Sequence, residues 1–119
     1  MDNDIQNLFQ DVYNAFNKRD IPGVLKSMAP DVRWPNGWEG GYVNGRKEVR
    51  DYWTRQWAEV DPKVTPISIN KLPNGSYKVD VHQLVKDLNG KILFDGIVQH
   101  IYTMSNGLIT TMEIVKEDL

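Results

Sequence analysis

Apolar side chains recur at helical spacing through the first half of the chain. Residues 4–18 carry one such stripe and predict an amphipathic helix, with Tyr13 at the margin of a stripe made of Ile5, Phe9, Val12 and Phe16. Asp20 and Pro22 suit the cap and first turn of a second, short helix, whose buried side is Ile21, Leu25 and Met28. A third helix is predicted over 46–60, and its stripe consists of Val49, Trp53, Trp57 and Val60.

The second half of the chain alternates in the manner of β-strands. A short strand is predicted over 31–35, and four longer ones over 63–71, 76–88, 91–104 and 108–116. Asn-Gly pairs separate the last four strands, and this pair is a strong hairpin signal because both residues tolerate positive φ. Helices followed by an antiparallel meander predict a single α+β domain over 1–119, whose curved sheet folds around the helices and encloses an apolar pocket.

The turn at Asn89-Gly90 sets the register of the central hairpin. If the turn has two residues, Leu88 faces Lys91 and Val81 faces Val98. One face of the sheet is then mixed in character, with Asp80, His82, Leu84, Lys86, Leu93, Asp95, Ile97, Gln99 and Ile101. The other face is more apolar, with Tyr77, Val79, Val81, Gln83, Val85, Phe94, Val98, His100 and Tyr102. Either the apolar face packs on the helices and the mixed face is solvated, or the helices cover the mixed face and a partner subunit covers the apolar one.

Composition limits the partners and the chemistry. The chain has 119 residues and a formal net charge of −2, which leaves no electrostatic footprint for nucleic acid or an anionic membrane. It contains no cysteine, so disulfides, thiol nucleophiles and zinc–thiolate sites are excluded. Residues 1–4 are polar and acidic, unlike a signal peptide, and no apolar run approaches the roughly 20 residues of a membrane span. We therefore expect a cytoplasmic protein with no nucleic-acid or membrane partner.

Three segments carry a resemblance to a known family: AFNKRDIPGVLKSMAPDVRW, GRKEVRDYW and the final SNGLITTMEIV. The chain resembles the nuclear transport factor 2-like superfamily, which includes ketosteroid isomerase and the SnoaL-like proteins and hosts unrelated activities. The resemblance implies a cone-shaped roll of a strongly curved, mostly antiparallel sheet on three helices, with a pocket inside and a homodimer through the outer sheet face. It favours the second arrangement, in which His82 and Gln99 line the pocket and the interface consists of Val79, Val81, Val85, Val98 and Tyr102.

The resemblance also bears on one specific reaction. The steroid isomerase uses a carboxylate base and an oxyanion hole made by a tyrosine and a protonated aspartate. Carried onto this sequence, the base falls on Asn36 and the aspartate on Gln99, while the tyrosine falls on Val12. Tyr13 is one residue away, turned about 100° around the helix. An amide cannot take the proton, so isomerisation by that mechanism is not expected.

His82 and Asp80 are the candidate catalytic pair. They lie two residues apart on the mixed face, and a histidine near a carboxylate can act as a general base at neutral pH. The alternative is a partly exposed strand histidine with solvated neighbours. Asp95 shares the face but lies beside a glycine and a possible bulge, so it is interpreted as structural.

The candidate substrate-binding residues combine polar anchors with apolar walls, and they are Trp34, Asn36, Trp53, Gln99, Met112 and Ile114. Two alternatives stay open for the anchors: Asn36 caps a turn, or Gln99 hydrogen-bonds Asp80 across the strands. Trp38 lies in the glycine-rich loop 36–44 and is predicted to act as a mobile lid.

His100 and Glu113 are predicted to face each other across the Asn106-Gly107 hairpin as a structural or subunit contact. The two histidines fall on opposite faces of the sheet, so we expect no metal site, and the absence of a phosphate or dinucleotide motif predicts no cofactor. The hypothesis is a cofactor-independent acid–base enzyme of the isomerase, cyclase or hydrolase type, acting on a small apolar molecule. The alternative is a non-catalytic small-molecule-binding or dimeric interaction module.

Overall fold

The computed structural model describes residues 3–37 and 39–116. Its helices are α1 (Asn3–Asn17), α2 (Ile21–Leu25) and α3 (Gly45–Trp57). Its strands are β1 (Met28–Pro35), β2 (Tyr42–Asn44), β3 (Val60–Lys71), β4 (Tyr77–Asp87), β5 (Ile92–Ser105) and β6 (Leu108–Lys116). Among the residues that the structure describes, no helix is long and apolar enough to cross a membrane.

One open, six-stranded sheet runs in the order β2-β1-β6-β5-β4-β3. Every neighbouring pair is antiparallel except β1 and β6, which are parallel. The three helices come before the long meander and cover one face of the sheet, so the predicted α+β cone is confirmed.

Some element boundaries differ from the sequence prediction. The Asp20 side chain caps α2 by accepting a hydrogen bond from the Gly23 amide at 3.1 Å, as predicted, but α2 ends at Leu25. Met28, expected on that helix, instead begins β1. Val60 likewise belongs to β3 and not to α3. Strand β2 was not expected, because its three residues are too few to show a period.

The β4–β5 register agrees with the prediction over most of its length but not at the turn. Val81 lies opposite Val98, as expected. At the tip, however, the Asp87 amide bonds the Lys91 carbonyl at 2.8 Å, so Leu88 and Lys91 do not face each other. Leu93 is an extra residue on β5, because Val85 pairs with Phe94 and Lys86 with Ile92. This β-bulge compensates for the longer turn and restores the expected register.

A second bulge changes the β5–β6 pairing. Ser105 faces Leu108 across the Asn106-Gly107 turn, and both turn residues have positive φ, 54° and 78°. Thr110 is then an extra residue on β6, which moves the partner of His100 to Ile114. The predicted pairing of His100 with Glu113 is therefore wrong, because the bulge puts the two side chains on opposite faces.

The apolar face of the sheet packs on the helices. Val79, Val81 and Val98 are each 0% exposed and belong to one core cluster with residues of all three helices. The first of the two arrangements therefore holds, and the arrangement favoured by the resemblance is wrong. Burying the apolar face is more favourable than burying the mixed face, because it removes more hydrocarbon from water. The residues expected at a subunit interface are inside the domain, namely Val79, Val81, Val85, Val98 and Tyr102.

Candidate functional site

A cavity of ≈ 610 Å³ lies between the helices and the inner face of the sheet. This volume is in the range of small-molecule sites. Its walls come from α1, α3, the end of β1 and the four meander strands, and they are mainly apolar: Phe16, Trp34, Trp53, Val64, Phe94 and Met112. The indoles of Trp34 and Trp53 meet edge to face, with ring centroids 5.7 Å apart, so each limits the rotation of the other.

Five of the six residues predicted to bind substrate line this cavity, and they are Trp34, Asn36, Trp53, Met112 and Ile114. Met112 and Ile114 lie two residues apart on β6, so both side chains face inward. The loop residue Trp38 lies outside the described residues. The binding roles of the five side chains stay predictions, but their placement around one cavity follows from the fold.

His82, Asp80 and Gln99 lie on the outer face of the sheet and do not line the cavity. His82 Nε2 is 2.6 Å from an Asp95 carboxylate oxygen, and the two side chains are 42% and 54% exposed. Asp80 accepts hydrogen bonds from Ser68 at 2.6 Å and from Gln99 at 3.1 Å. The expectation that His82, Asp80 and Gln99 point into the cone is therefore wrong. The predicted hydrogen bond between Asp80 and Gln99 is found, but the partner of His82 is Asp95 and not Asp80. The error in placement was in which face of the sheet the helices cover.

Three buried polar side chains meet on the cavity wall. The Tyr13 hydroxyl oxygen is 2.7 Å from His100 Nδ1 and 2.8 Å from the Tyr102 hydroxyl oxygen. Tyr13 is 2%, His100 6% and Tyr102 1% exposed, and all three line the cavity. We call them the Tyr13–His100–Tyr102 cluster. This cluster was not predicted from the sequence. Two of its members are nevertheless next to positions carried over from the isomerase, since Tyr13 follows Val12 and His100 follows Gln99.

Burial keeps the cluster uncharged at neutral pH. It lowers the pKa of His100 to about 4, because no solvent or counter-charge stabilises the imidazolium. It also raises the pKa of Tyr13 and of Tyr102 well above that of a free phenol. A neutral imidazole has one N–H donor and one acceptor nitrogen. Since Nδ1 meets Tyr13 and no described residue hydrogen-bonds Nε2, Nε2 is available to a ligand.

The loop after β1 is held at the rim of the cavity by Asn36. Its side-chain oxygen accepts a hydrogen bond from the Glu39 amide at 2.7 Å, and its side-chain nitrogen donates to the Glu39 carboxylate at 3.0 Å. Arg55 on α3 bonds the same carboxylate at 2.9 Å, and these contacts lower the pKa of Glu39, with Arg55 the larger cause. Asn36 therefore caps this turn, as one alternative predicted, while also lining the cavity.

Tyr42, directly after this loop, and Glu113 on β6 also border the cavity. The Tyr42 hydroxyl donates to the Glu113 carboxylate, and the Arg33 guanidinium stacks on the Tyr42 ring at 3.8 Å. Glu113 is the one charged residue among the described residues that line the cavity. No group of three metal-binding side chains occurs within 3–37 and 39–116. The cavity therefore has a neutral, hydrogen-bonding interior and a carboxylate only at its edge.

Solved structures with the same fold cover almost the whole chain. An NTF2-like protein of unknown function from Burkholderia pseudomallei is 27% identical, with a TM-score of 0.83 over 98% of this chain and 92% of that one. TerC is 24% identical, with a TM-score of 0.80 over 93% and 89% of the two chains. RV0760c from Mycobacterium tuberculosis is 19% identical, with a TM-score of 0.76 over 90% and 88%. These likenesses establish the NTF2-like fold.

Sequence comparison gives the family. No curated protein matches the chain. The model of the SnoaL-like domain matches residues 9–112, which include most of the stripe of α1, the third helix and most of the meander. The resemblance seen in the sequence is thereby confirmed, and the chain belongs to the SnoaL-like domain family.

Proposed function

We propose that the cavity binds a compact, neutral and largely apolar molecule, and that the Tyr13–His100–Tyr102 cluster hydrogen-bonds an oxygen atom of this ligand. The observation that carries the proposal is a set of uncharged, buried hydrogen-bonding groups on the wall of an otherwise apolar cavity. Polar groups in such a place fix the orientation of a ligand, while the surrounding aromatic side chains supply most of the affinity.

The chemistry proposed for the cluster is polarisation of a carbonyl oxygen. The proposal uses the arrangement in which Tyr102 donates to the Tyr13 oxygen and Tyr13 donates to His100 Nδ1, one of those that these distances allow. His100 then presents an N–H donor at Nε2. A donor held in a dry site stabilises negative charge that develops on the ligand oxygen, and this lowers the barrier to transfer of a proton from the neighbouring carbon to a base. Glu113 at the rim is the one carboxylate among the described lining residues, so it is the base that isomerisation or cyclisation without a cofactor would use.

Two solved structures support a ligand site in this fold. TerC was crystallised with polyporic acid, and RV0760c is in complex with estradiol-17β-hemisuccinate. The cavity here is of a size to hold an organic molecule with one or more rings.

A second candidate function is binding without catalysis. It is favoured by Asn36, which stands where the isomerase has its carboxylate base and is engaged in capping the turn. Glu113 is at the exposed rim and already bonded to Tyr42. Recovery of a tight ligand unchanged after long incubation would support binding alone, and a new product would support an enzyme.

We also propose a homodimer through the outer sheet face. Two exposed apolar side chains on this face support it, Ile97 at 41% and Val115 at 42%. Sedimentation equilibrium of wild type and Ile97→Asp tests it. We expect wild type to be a dimer and Ile97→Asp to be a monomer. Wild type that remains monomeric at every protein concentration tested, including the highest, would contradict the proposal.

A thermal-shift screen tests the proposed ligand class. The panel contains neutral enones, steroids, epoxides, lactones and phenols, together with aromatic acids as charged counterparts. A ligand at about 100 times its Kd adds roughly 2.7 kcal/mol to the free energy of unfolding, which raises Tm by several degrees. The neutral compounds are expected to raise the Tm of wild type and of His82→Ala by the same amount, and the Tm of Tyr13→Phe by less. No shift from any neutral compound would contradict the proposal.

A further inference from the structure

The tip of the β4–β5 hairpin places two neighbouring apolar side chains on the cavity wall. Leu93 and Phe94 are consecutive in sequence, and in a regular strand they would point to opposite faces. Leu93 is the extra residue of the β5 bulge, so the alternation is broken at this point. As a result both residues line the cavity, although the regular pattern puts Leu93 on the outer face.

A ligand in the cavity would cover apolar surface of Leu93 that is now exposed to solvent. It lines the cavity yet remains 50% exposed, and Phe94 beside it is only partly buried. Val85, opposite Phe94, and Pro62 on β3 continue the same apolar rim. Covering these side chains with hydrocarbon is favourable, because it removes apolar surface from water.

Gly96 sets the position of the Phe94 ring. A Cβ atom at Gly96 would lie 3.1 Å from Cζ of Phe94, so the ring lies over the glycine. The backbone of Gly96 does not have a positive φ, so an alanine there is not strained by the main chain. The absence of a side chain at position 96 therefore allows the Phe94 ring to pack closely on the backbone of β5.

Leu93 and Phe94 lie far along β5 from the buried polar cluster. His100 is six positions after Phe94, which corresponds to at most about 20 Å of extended strand. Both ends nevertheless border one cavity. A ligand that contacts both must therefore be elongated.

We propose that Leu93 and Phe94 form an apolar subsite at the rim of the cavity, which selects elongated ligands with an oxygen at the buried end and a hydrocarbon chain or ring at the rim. This inference rests on the proposed function, because it names the shape and polarity of the ligand for the same cavity. It assigns specificity to the hairpin tip and hydrogen bonding to the cluster.

The test uses 2-naphthols with an ethyl, butyl, hexyl or octyl group at position 6, titrated by calorimetry. A naphthol hydroxyl can donate and accept, so it suits either tautomer of His100. In wild type, affinity should rise by roughly threefold for each methylene that reaches the rim. Leu93→Ala should weaken binding of the octyl compound by about fivefold to tenfold and leave the ethyl compound within about twofold.

Leu88→Ala is the matched control. Leu88 belongs to the same hairpin and is 62% exposed, but it does not line this cavity. Its replacement should leave the whole series unchanged. Gly96→Ala is a second variant, which keeps both apolar side chains and displaces the Phe94 ring, and it should change the affinity of the long members only.

Two results would overturn the inference while leaving the proposed function intact. One is wild-type binding with the same affinity for all chain lengths, and the other is an equal response to Leu93→Ala and Leu88→Ala. If wild type binds neither the naphthols nor any neutral compound of the thermal-shift panel, both the inference and the proposed function fail.

Discussion

The Tyr13 hydroxyl oxygen lies 2.7 Å from His100 Nδ1, although 87 positions separate the two residues in sequence. The contact joins α1 to β5 within the core, and Tyr102 extends it by a further hydrogen bond. This interaction therefore attaches α1 to the sheet and also positions polar groups on the cavity wall. Stability and ligand binding should respond together when it is changed.

Tyr13→Phe should destabilise the protein by about 1–3 kcal/mol. The substitution keeps the ring but leaves the buried His100 and Tyr102 with one partner fewer, and an unpaired buried polar group retains its cost of desolvation. Urea denaturation monitored by tryptophan fluorescence measures the change. Tyr42→Phe is the matched control, since Tyr42 is 41% exposed and its loss of a hydroxyl should have no measurable effect. Equal stability of the two variants would refute the role of the cluster in the fold.

The free energy of unfolding should fall between about pH 6.5 and pH 4 because of His100. Burial lowers the pKa of His100 to about 4 in the native state, whereas the unfolded chain binds this proton near pH 6.5. In that window the unfolded state holds more protons, so the stabilisation present above pH 6.5 is lost as the pH falls to the native pKa. The loss amounts to roughly 3 kcal/mol.

Comparison of variants isolates this histidine from the carboxylates that titrate in the same range. The difference in stability between wild type and His100→Gln should narrow as the pH falls through the window. An NMR titration that gives His100 an ordinary pKa would overturn the explanation.

His82→Ala should leave ligand affinity unchanged and alter stability by no more than about 0.5 kcal/mol. Its ring lies on the outer face in an exposed ion pair with Asp95, and such pairs contribute little. Trp53→Ala, in contrast, removes a 1% exposed cavity wall and should weaken binding more than tenfold. Loss of binding or turnover in His82→Ala would restore the original catalytic hypothesis.

Asn36→Asp should lower Tm at pH 7, and the effect should diminish below about pH 4. The change replaces an amide that donates to Glu39 at 3.0 Å by a second carboxylate, and like charges at that distance repel. Adding Glu39→Gln returns a donor to the pair, so the double variant should recover most of the loss. A double variant no more stable than the single one would show that the turn does not depend on this contact.

Much of the fold can be predicted from the sequence. The stripe of α1, the Asp20 cap and the Asn106-Gly107 turn are local signals, and each is found where the pattern indicates. The helix stripe also identifies Trp53 as a cavity wall. These features depend on residues close in sequence, so a period or a turn motif is enough to predict them.

The cluster could not be predicted in the same way. It requires knowing which face of the sheet the helices cover, and the two faces have the same period. The bulges at Leu93 and Thr110 each shift one strand by a residue, and no turn signal accompanies either. Choosing the wrong face placed His82 inside and His100 outside, which is the reverse of the structure.

The ¹⁵N spectrum of the His100 ring, recorded during titration with a neutral phenol or enone that raises Tm, tests whether the Tyr13–His100–Tyr102 cluster receives the ligand. The Nε2 signal of His100 is expected to shift as the ligand oxygen forms a hydrogen bond with it, while the signals of His82 stay in place. A ligand that binds and stabilises the protein but leaves both ring nitrogens of His100 unchanged would contradict the claim that this cluster receives the ligand.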